Sequence, residues 1–156
     1  MEFSGKLNSI SNFELNKYLR NVPNFKGCFA HDELDNKNID DDSIYICNYD
    51  NLGEVGSHWI LILNGVNDTS TCIYVDSFGL TPSKRMLNFM KRKNDNTPIM
   101  SNHTTQHTDS QACGYYCMYY IFEMINNKRK FLDVVYDFTN DKQENENLLY
   151  NYFLNH

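Results

Sequence analysis

Apolar and polar positions alternate along this chain with a period that changes from helical to extended and back. Ser11-Asn12-Phe13-Glu14 has the spacing of a capping box, and apolar residues follow it at helical intervals. This pattern predicts a short helix that ends before Pro23. Residues 31–42 are polar and acidic, which indicates a surface loop.

Three runs rich in β-branched and aromatic residues predict strands over 43–49, 59–64 and 71–76. A short turn separates the second run from the third, so these two strands are predicted to pair antiparallel. Both runs are almost entirely apolar, which indicates central strands that are covered on both faces.

Helical periodicity returns in the second half of the chain. It predicts a helix from Ser83 to Lys93, a long helix that begins near Cys113 and an amphipathic helix over 140–155, while 98–105 is a candidate strand. Together these elements predict an α+β fold in which helices pack around a central, mainly antiparallel sheet. The length suits a single domain spanning 1–156.

Composition narrows the classes of function. The chain has 14 Lys and Arg against 20 Asp and Glu, a formal net charge of -6, which argues against a nucleic-acid partner. It has no apolar run long enough to span a bilayer and no signal-peptide pattern at its N-terminus. Five cysteines, an odd number, favour free thiols in a reducing compartment. We therefore expect a protein that is neither secreted nor bound to a membrane.

Three segments carry candidate chemistry. His58 opens one predicted strand, Asp76 closes the next, and Cys113 begins a predicted helix. If the strands pair antiparallel, the carboxylate can hold the imidazole in one tautomer. The helix N-terminus and a nearby imidazolium would favour a thiolate at Cys113. Taken singly, each residue also has an ordinary structural explanation, as packing or as a turn.

Two further features of the Cys113 segment suit acyl transfer. The backbone N–H of Cys113 can point at a developing oxyanion, and Gly114 would let a substrate backbone approach closely. Nucleophile, base, orienting carboxylate and oxyanion donor are the parts that this chemistry requires.

These segments resemble the adenovirus-type and SUMO-protease-like (Ulp1-like) cysteine peptidases, an adenain-like, papain-like architecture. The shared pattern is His58-Trp59, then Asp76 in Val-Asp-Ser-Phe-Gly, then Cys113-Gly114. The resemblance implies a catalytic triad of Cys113, His58 and Asp76. It also implies an oxyanion-hole glutamine. Gln106, seven residues before Cys113, has the adenovirus-type spacing, whereas the SUMO-protease spacing falls on His107.

The viral branch of the family implies a substrate and a setting. It predicts cleavage of capsid or other virion precursor proteins after small residues such as Gly, in a narrow cleft walled by Trp59. It places the enzyme in the host cytoplasm or viral factory and in the virion. We expect a monomer that needs no cofactor. An activating peptide is possible without a disulfide tether, because no cysteine lies between Cys72 and Cys113.

Three alternatives remain at this point. The first is a protease that removes SUMO or ubiquitin-like modifiers by the same chemistry. The second is a zinc-binding, non-enzymatic module, because His103, His107, Cys113 and Cys117 are all plausible zinc ligands. The third is a binding module that keeps the fold without catalysis.

Overall fold

The computed structural model describes residues 7–54, 57–68, 70–92, 97–101 and 103–155. Its helices and strands, in chain order, are α1 (Asn12–Leu19), β1 (Phe25–Phe29), β2 (Ser43–Asn48), β3 (Trp59–Asn64), β4 (Cys72–Val75), α2 (Lys84–Met90), β5 (Ile99–Met100), α3 (Cys113–Ile121), α4 (Phe131–Val135) and α5 (Lys142–Leu154). Two 3₁₀ turns, His31–Asn36 and Val66–Asp68, and a π-helical turn, Phe122–Asn126, complete the list.

The five strands form one sheet in the order β1-β2-β3-β4-β5. The central strands β2, β3 and β4 pair antiparallel, as predicted for the last two, while β1 and β5 join the two edges in parallel. The predicted α+β class, with a central mainly antiparallel sheet packed by helices, is confirmed.

Both faces of the sheet are covered. Every residue of β2 is buried, and so are the four inner residues of β3. Since successive side chains of a strand point to opposite faces of the sheet, this burial requires cover on both faces. On one face Ile46, Leu61 and Val75 pack with α3, and on the other Tyr45, Ile60 and Tyr74 pack with α2. The near-continuous apolar runs therefore did indicate central strands buried on both sides.

The predicted capping box at α1 is present. Ser11 Oγ accepts a hydrogen bond from the Glu14 N–H at 3.1 Å, and Glu14 Oε1 accepts from the Ser11 N–H at 3.2 Å. Leu15 and Leu19 then face the core and are fully buried. This capped helix holds the segment before it, Leu7 to Ile10, against the same core.

The interpretation of 31–42 as a surface loop is wrong in part. His31–Asn36 is a 3₁₀ turn, and Leu34 and Ile39 are buried against the α2 face. Two arginines, Arg85 in α2 and Arg92 just after its end, hold this segment. Arg85 pairs with Asp35 at 2.7 Å, and Arg92 donates to backbone carbonyls of the segment, including Leu34 at 2.6 Å.

Other element boundaries differ from expectation. The sequence prediction missed β1 and α4, and the candidate strand over 98–105 is limited to Ile99–Met100. Helix α2 ends at Met90, whereas Lys93, the predicted end, lies outside the described residues, as do the six N-terminal residues examined for a signal sequence. Within the described ranges, no helix has the length and apolar character needed to cross a membrane.

Candidate active site

Strand pairing brings His58 and Asp76 to one end of the sheet. His58 immediately precedes β3 and Asp76 immediately follows β4. In the antiparallel register Leu61 lies opposite Val75, so the start of β3 adjoins the end of β4. The juxtaposition inferred from the predicted hairpin is therefore present in the structure.

The imidazole and the carboxylate form a buried pair. His58 Nε2 lies 2.6 Å from Asp76 Oδ1, and both side chains are almost completely removed from solvent. A carboxylate only accepts hydrogen bonds, so it selects the tautomer with the proton on Nε2. Nδ1 of the neutral ring then carries the free lone pair. Nδ1 is buried and has no hydrogen-bond partner among the described residues, which leaves it available as a base.

Two residues that the sequence reasoning missed hold this pair in place. Tyr49 Oη donates to Asp76 Oδ2, and the Phe78 N–H donates to Asp76 Oδ1 at 2.8 Å. The Phe78 ring also stacks on the His58 ring at a centroid distance of 4.0 Å. Tyr49 could have been found from strand register, since it follows β2 directly and its N–H bonds to the His58 carbonyl.

The Cys113 thiol lies beside the histidine segment, at the N-terminus of α3. The Trp59 N–H contacts Cys113 Sγ at 3.4 Å. Ala112 provides no side-chain cap for the first N–H groups of the helix. A thiolate at this position is stabilised by the helix dipole and by the Trp59 N–H.

Electrostatics favour the protonated imidazole. Burial of His58 lowers its pKa, but the hydrogen bond and charge of Asp76, together with the nearby Cys113, outweigh burial and raise the pKa to about 9. The protonated imidazole is therefore favoured at neutral pH. Transfer of the Cys113 proton to the ring gives an imidazolium–thiolate pair.

Gln106 is fully buried behind the site. Its Oε1 accepts a hydrogen bond from Ser77 Oγ at 2.5 Å, and its Nε2 donates to the Ser110 carbonyl at 3.0 Å. These bonds tie the turn after Asp76 to the loop before Cys113. In this arrangement the amide donors face Ser110, so the oxyanion role remains a prediction.

Trp59 and Gly114 lie together, but with a third partner that the sequence did not suggest. The Trp59 indole N–H donates to the Ile10 carbonyl at 3.0 Å. A Cβ placed on Gly114 would lie 2.1 Å from Ile10 Cγ2 and 3.5 Å from Trp59 Cδ1. The space left by the missing side chain of Gly114 is thus filled by Ile10, and the expected approach of a substrate backbone at that atom is not what the structure shows.

The zinc alternative does not fit the structure. Among the described residues, which include all four candidate ligands, no group of three or more His, Cys, Asp or Glu side chains is placed to hold a metal ion. His103 bonds to Asn140 at 3.0 Å, His107 is exposed, and Cys117 is buried in the core one turn beyond Cys113. The close sequence spacing of these residues does not bring them to a common point.

Comparison with known proteins gave two kinds of match. No family model matches the chain. The Acanthamoeba polyphaga mimivirus protein R355, which bears the name of a thiol protease, is 33% identical over 89 residues, covering 52% of this chain and 29% of that protein. Two crystal structures of the ASFV pS273R protease match with a TM-score of 0.58, at 16% and 17% identity. They cover 89% of this chain and 66% and 64% of theirs.

The resemblance to viral thiol proteases is confirmed. The solved structures establish that the chain has the fold of the ASFV protease, and the sequence match links it to a viral protein named for thiol chemistry. The chain spans under a third of R355 and slightly less than two-thirds of the ASFV protease chains.

Proposed function

We propose that this protein is a cysteine endopeptidase in which Cys113 is the nucleophile, His58 the base and Asp76 the residue that orients His58. The single observation that carries the proposal is the position of Cys113 at the start of α3, beside a buried His58–Asp76 pair. The resemblance to viral thiol proteases supports the same chemistry.

The reaction follows from these positions. His58 accepts the Cys113 proton, and the thiolate attacks the substrate carbonyl to form a tetrahedral intermediate. The Cys113 N–H and the Gln106 amide stabilise the oxyanion, for which Gln106 Nε2 exchanges its Ser110 acceptor. The imidazolium then protonates the leaving amine, and water hydrolyses the thioester to release the acid and regenerate the thiol.

The substrates that we propose are capsid or other virion precursor proteins, cut after small residues such as Gly. This rests on the viral resemblance and on the half-buried indole of Trp59, which stands beside the nucleophile and restricts side-chain volume. We further propose action as a monomer in the viral factory and the virion. An activating peptide, if one is used, would bind without a disulfide tether. A net charge of -6 makes nucleic acid an unfavourable partner.

Site-resolved alkylation at pH 6 tests the chemistry. Iodoacetamide labelling, followed by mass spectrometry, should modify Cys113 at least about tenfold faster than the other thiols, because only an activated cysteine is a thiolate at that pH. Cys28 and Cys72 are internal controls, since burial raises the pKa of each to about 12 although both remain partly exposed.

Variants complete that test. His58→Ala should remove the preference for Cys113, and Cys113→Ala should abolish cleavage of precursor proteins while the melting temperature stays close to that of the natural chain. Uniform labelling of the cysteines, or cleavage that survives Cys113→Ala, would end the proposal.

The deconjugating alternative uses the same residues on another substrate. It predicts that a ubiquitin-like domain, fused through its Gly-Gly terminus to a second protein, is cut faster than an unstructured peptide of the same cleavage sequence. Equal or slower cleavage of the fusion would favour the precursor-processing function.

A further inference from the structure

A cavity of about 500 Å³ opens beside the proposed nucleophile. It lies between the start of α1, the end of β1, the 3₁₀ turn after β1 and the loop that precedes β3, and Trp59 forms one wall. The Trp59 N–H is the group that contacts Cys113 Sγ. A polypeptide that places its scissile carbonyl at Cys113 would therefore run past Trp59 into or along this cavity.

Asn48 presents a fixed hydrogen-bond donor to the cavity. The residue is only 5% exposed, and its Oδ1 accepts from the Asp50 N–H at 2.8 Å and the Ser57 N–H at 3.3 Å. These two bonds fix the orientation of the amide. Its Nδ2 has no acceptor within the described part of the chain, although Asn48 lines the cavity. The amide N–H₂ of this fixed side chain is thus a donor at the cavity wall, and a peptide carbonyl is the acceptor that a polypeptide offers.

Four carboxylates surround the same space. Glu14, Glu33, Asp50 and Glu54 line the cavity, whereas no Lys or Arg does so among the described residues. None of the four forms an ion pair with a described Lys or Arg. Three of them use one oxygen to accept a nearby N–H, at Ser11, Ala30 and Asn51, which orients the side chain and leaves the second oxygen available.

An apolar side chain borders these charges. Leu52 lines the cavity and is 71% exposed, so its apolar side chain is open to contact. An apolar contact next to several carboxylates matches the two parts of a long basic side chain, whose methylene stem packs on apolar surface while its cationic head stays near solvent and counter-charges.

On the basis of the proposed function, we infer that this cavity is a specificity subsite that binds a Lys or Arg side chain of the polypeptide substrate, flanking the scissile bond. Glu33, Asp50 and Glu54 receive the cationic head, Leu52 contacts the stem, and the Asn48 amide donates to a backbone carbonyl of the substrate. A small residue at the bond and a basic residue near it then define the cleavage site together.

Cleavage-site profiling tests the inference. The full chain is incubated with a peptide library prepared from a whole proteome, and mass spectrometry reads every new terminus. Lys and Arg should be enriched at one position flanking the cleaved bond. The charge-removing variant Glu33→Gln/Asp50→Asn/Glu54→Gln keeps the acceptor oxygens that orient these side chains, and it should erase the enrichment.

Matched peptides give the size of the effect. For a cleaved peptide and its copy with norleucine in place of the basic residue, the ratio of kcat/KM should be about tenfold or more in the natural chain. It should approach one in the triple variant. The control Asp133→Asn/Glu144→Gln removes exposed carboxylates from α4 and α5, outside the cavity, and should leave the ratio unchanged.

The outcomes separate the inference from the proposed function. Cleavage that depends on Cys113 but shows no basic preference, or a preference that survives the triple variant, overturns the subsite alone. A chain that cleaves nothing and whose Cys113 is no more reactive than Cys28 rejects both. Asn48→Ala should raise KM for basic and norleucine peptides alike, because the Asn48 amide is proposed to donate to a backbone carbonyl of the substrate. An unchanged KM would show that Asn48 is not part of the subsite.

Discussion

Asp76 accepts three hydrogen bonds, and their arrangement explains how a single carboxylate can position a histidine. Oδ1 receives both His58 Nε2 and the Phe78 N–H, and Oδ2 receives the Tyr49 hydroxyl. With its oxygens engaged in this way, the carboxylate cannot rotate without breaking a buried bond, which is costly. The orientation of the His58 ring is thus determined by the turn after β4 and by the residue after β2.

The protonation of His58 gives a prediction at the same scale. Because Asp76 and Cys113 raise its pKa above the ordinary value to about 9, the stabilisation from this pair is complete below about pH 6.5 and is lost as pH rises to about 9. The imidazole resonances of His58 should titrate with a midpoint near 9 in NMR spectra. Asp76→Asn should move that midpoint to lower pH.

Unfolding experiments at two pH values check the direction of this pH dependence. The difference in unfolding free energy between the natural chain and Asp76→Asn should be larger at pH 6 than at pH 9.5, since the protonated ring gains more from the carboxylate than the neutral ring does. A midpoint near 6.5 in the natural chain, or a stability difference independent of pH, would contradict the pairing described for His58.

Sequence reasoning identified His58, Asp76 and Cys113, which the structure brings together, because each stands at the end of an element with a clear pattern. It did not find Tyr49 and Phe78, whose importance depends on which side chains lie across from them after folding. Nor could it find the Ser77 and Ser110 bonds of Gln106, since both partners belong to loops without a periodic pattern. The catalytic roles themselves stay predictions until the variants are measured.

Between elements, α3 packs closely against the segment before α1 at Gly114. Gly114→Ala would place a Cβ 2.1 Å from Ile10 Cγ2, a distance that requires the Ile10 side chain or one of the two backbones to move. We expect the substitution to lower the unfolding free energy by about 1–3 kcal/mol, the usual cost of overpacking a core. Chemical denaturation monitored by tryptophan fluorescence would measure it.

A double variant shows whether Ile10 is the cause. Ile10→Ala opens space at that point, so Gly114→Ala should cost less in the Ile10→Ala background than alone, a positive coupling in a double-mutant cycle. Additive effects would mean that the penalty arises elsewhere. The same variants report on function, because Ile10 also accepts the Trp59 indole hydrogen bond beside Cys113.

The prediction of helices and strands succeeded where the hydrophobic periodicity was strong. It failed where tertiary contacts determine the local structure. Strands β2, β3 and β4 lie within the predicted runs because their apolar residues are continuous. Strand β1 contains Lys26 and Gly27, which weaken a strand pattern, and it is extended because it pairs with β2. The 3₁₀ turn after β1 appears polar in sequence because only Leu34 in it is buried, and the contacts that hold it come from Arg85 in α2 and Arg92 just after α2.

Across the whole molecule, Arg129 connects the end of the α3 region with α4 and the segment leading to α5. It pairs with Glu123 at 2.9 Å and bonds to Asp137 through both guanidinium nitrogens. Tyr119 on α3 donates to the same Asp137 carboxylate at 2.5 Å. The guanidinium holds the pKa of Asp137 below its ordinary value. This cluster lies apart from Cys113 and is expected to serve stability.

Replacing Arg129 should therefore lower the stability of the fold without changing the reactivity of Cys113. Arg129→Gln should lower the unfolding free energy by about 1–3 kcal/mol, because partly buried carboxylates lose their charge partner. Because the pKa of Asp137 is lowered in the folded chain, the deficit should be present at neutral pH and should diminish as the pH falls below the ordinary range of the carboxyl group. Alkylation of Cys113 at pH 6 should proceed at the natural rate. A large loss of Cys113 reactivity in a folded Arg129→Gln protein would show that the cluster communicates with the site.

The division of the site between the sheet and α3 has a consequence during synthesis. Tyr49, His58, Asp76 and Phe78 all precede Cys113 in the chain, and the β2–β3–β4 meander that holds them is local in sequence. At roughly 5–20 residues per second, the ribosome completes this half of the site a few seconds before it adds the nucleophile. The residues that form and orient the base are therefore synthesised before the thiol, and the proposed site is complete only when the helix bearing Cys113 docks.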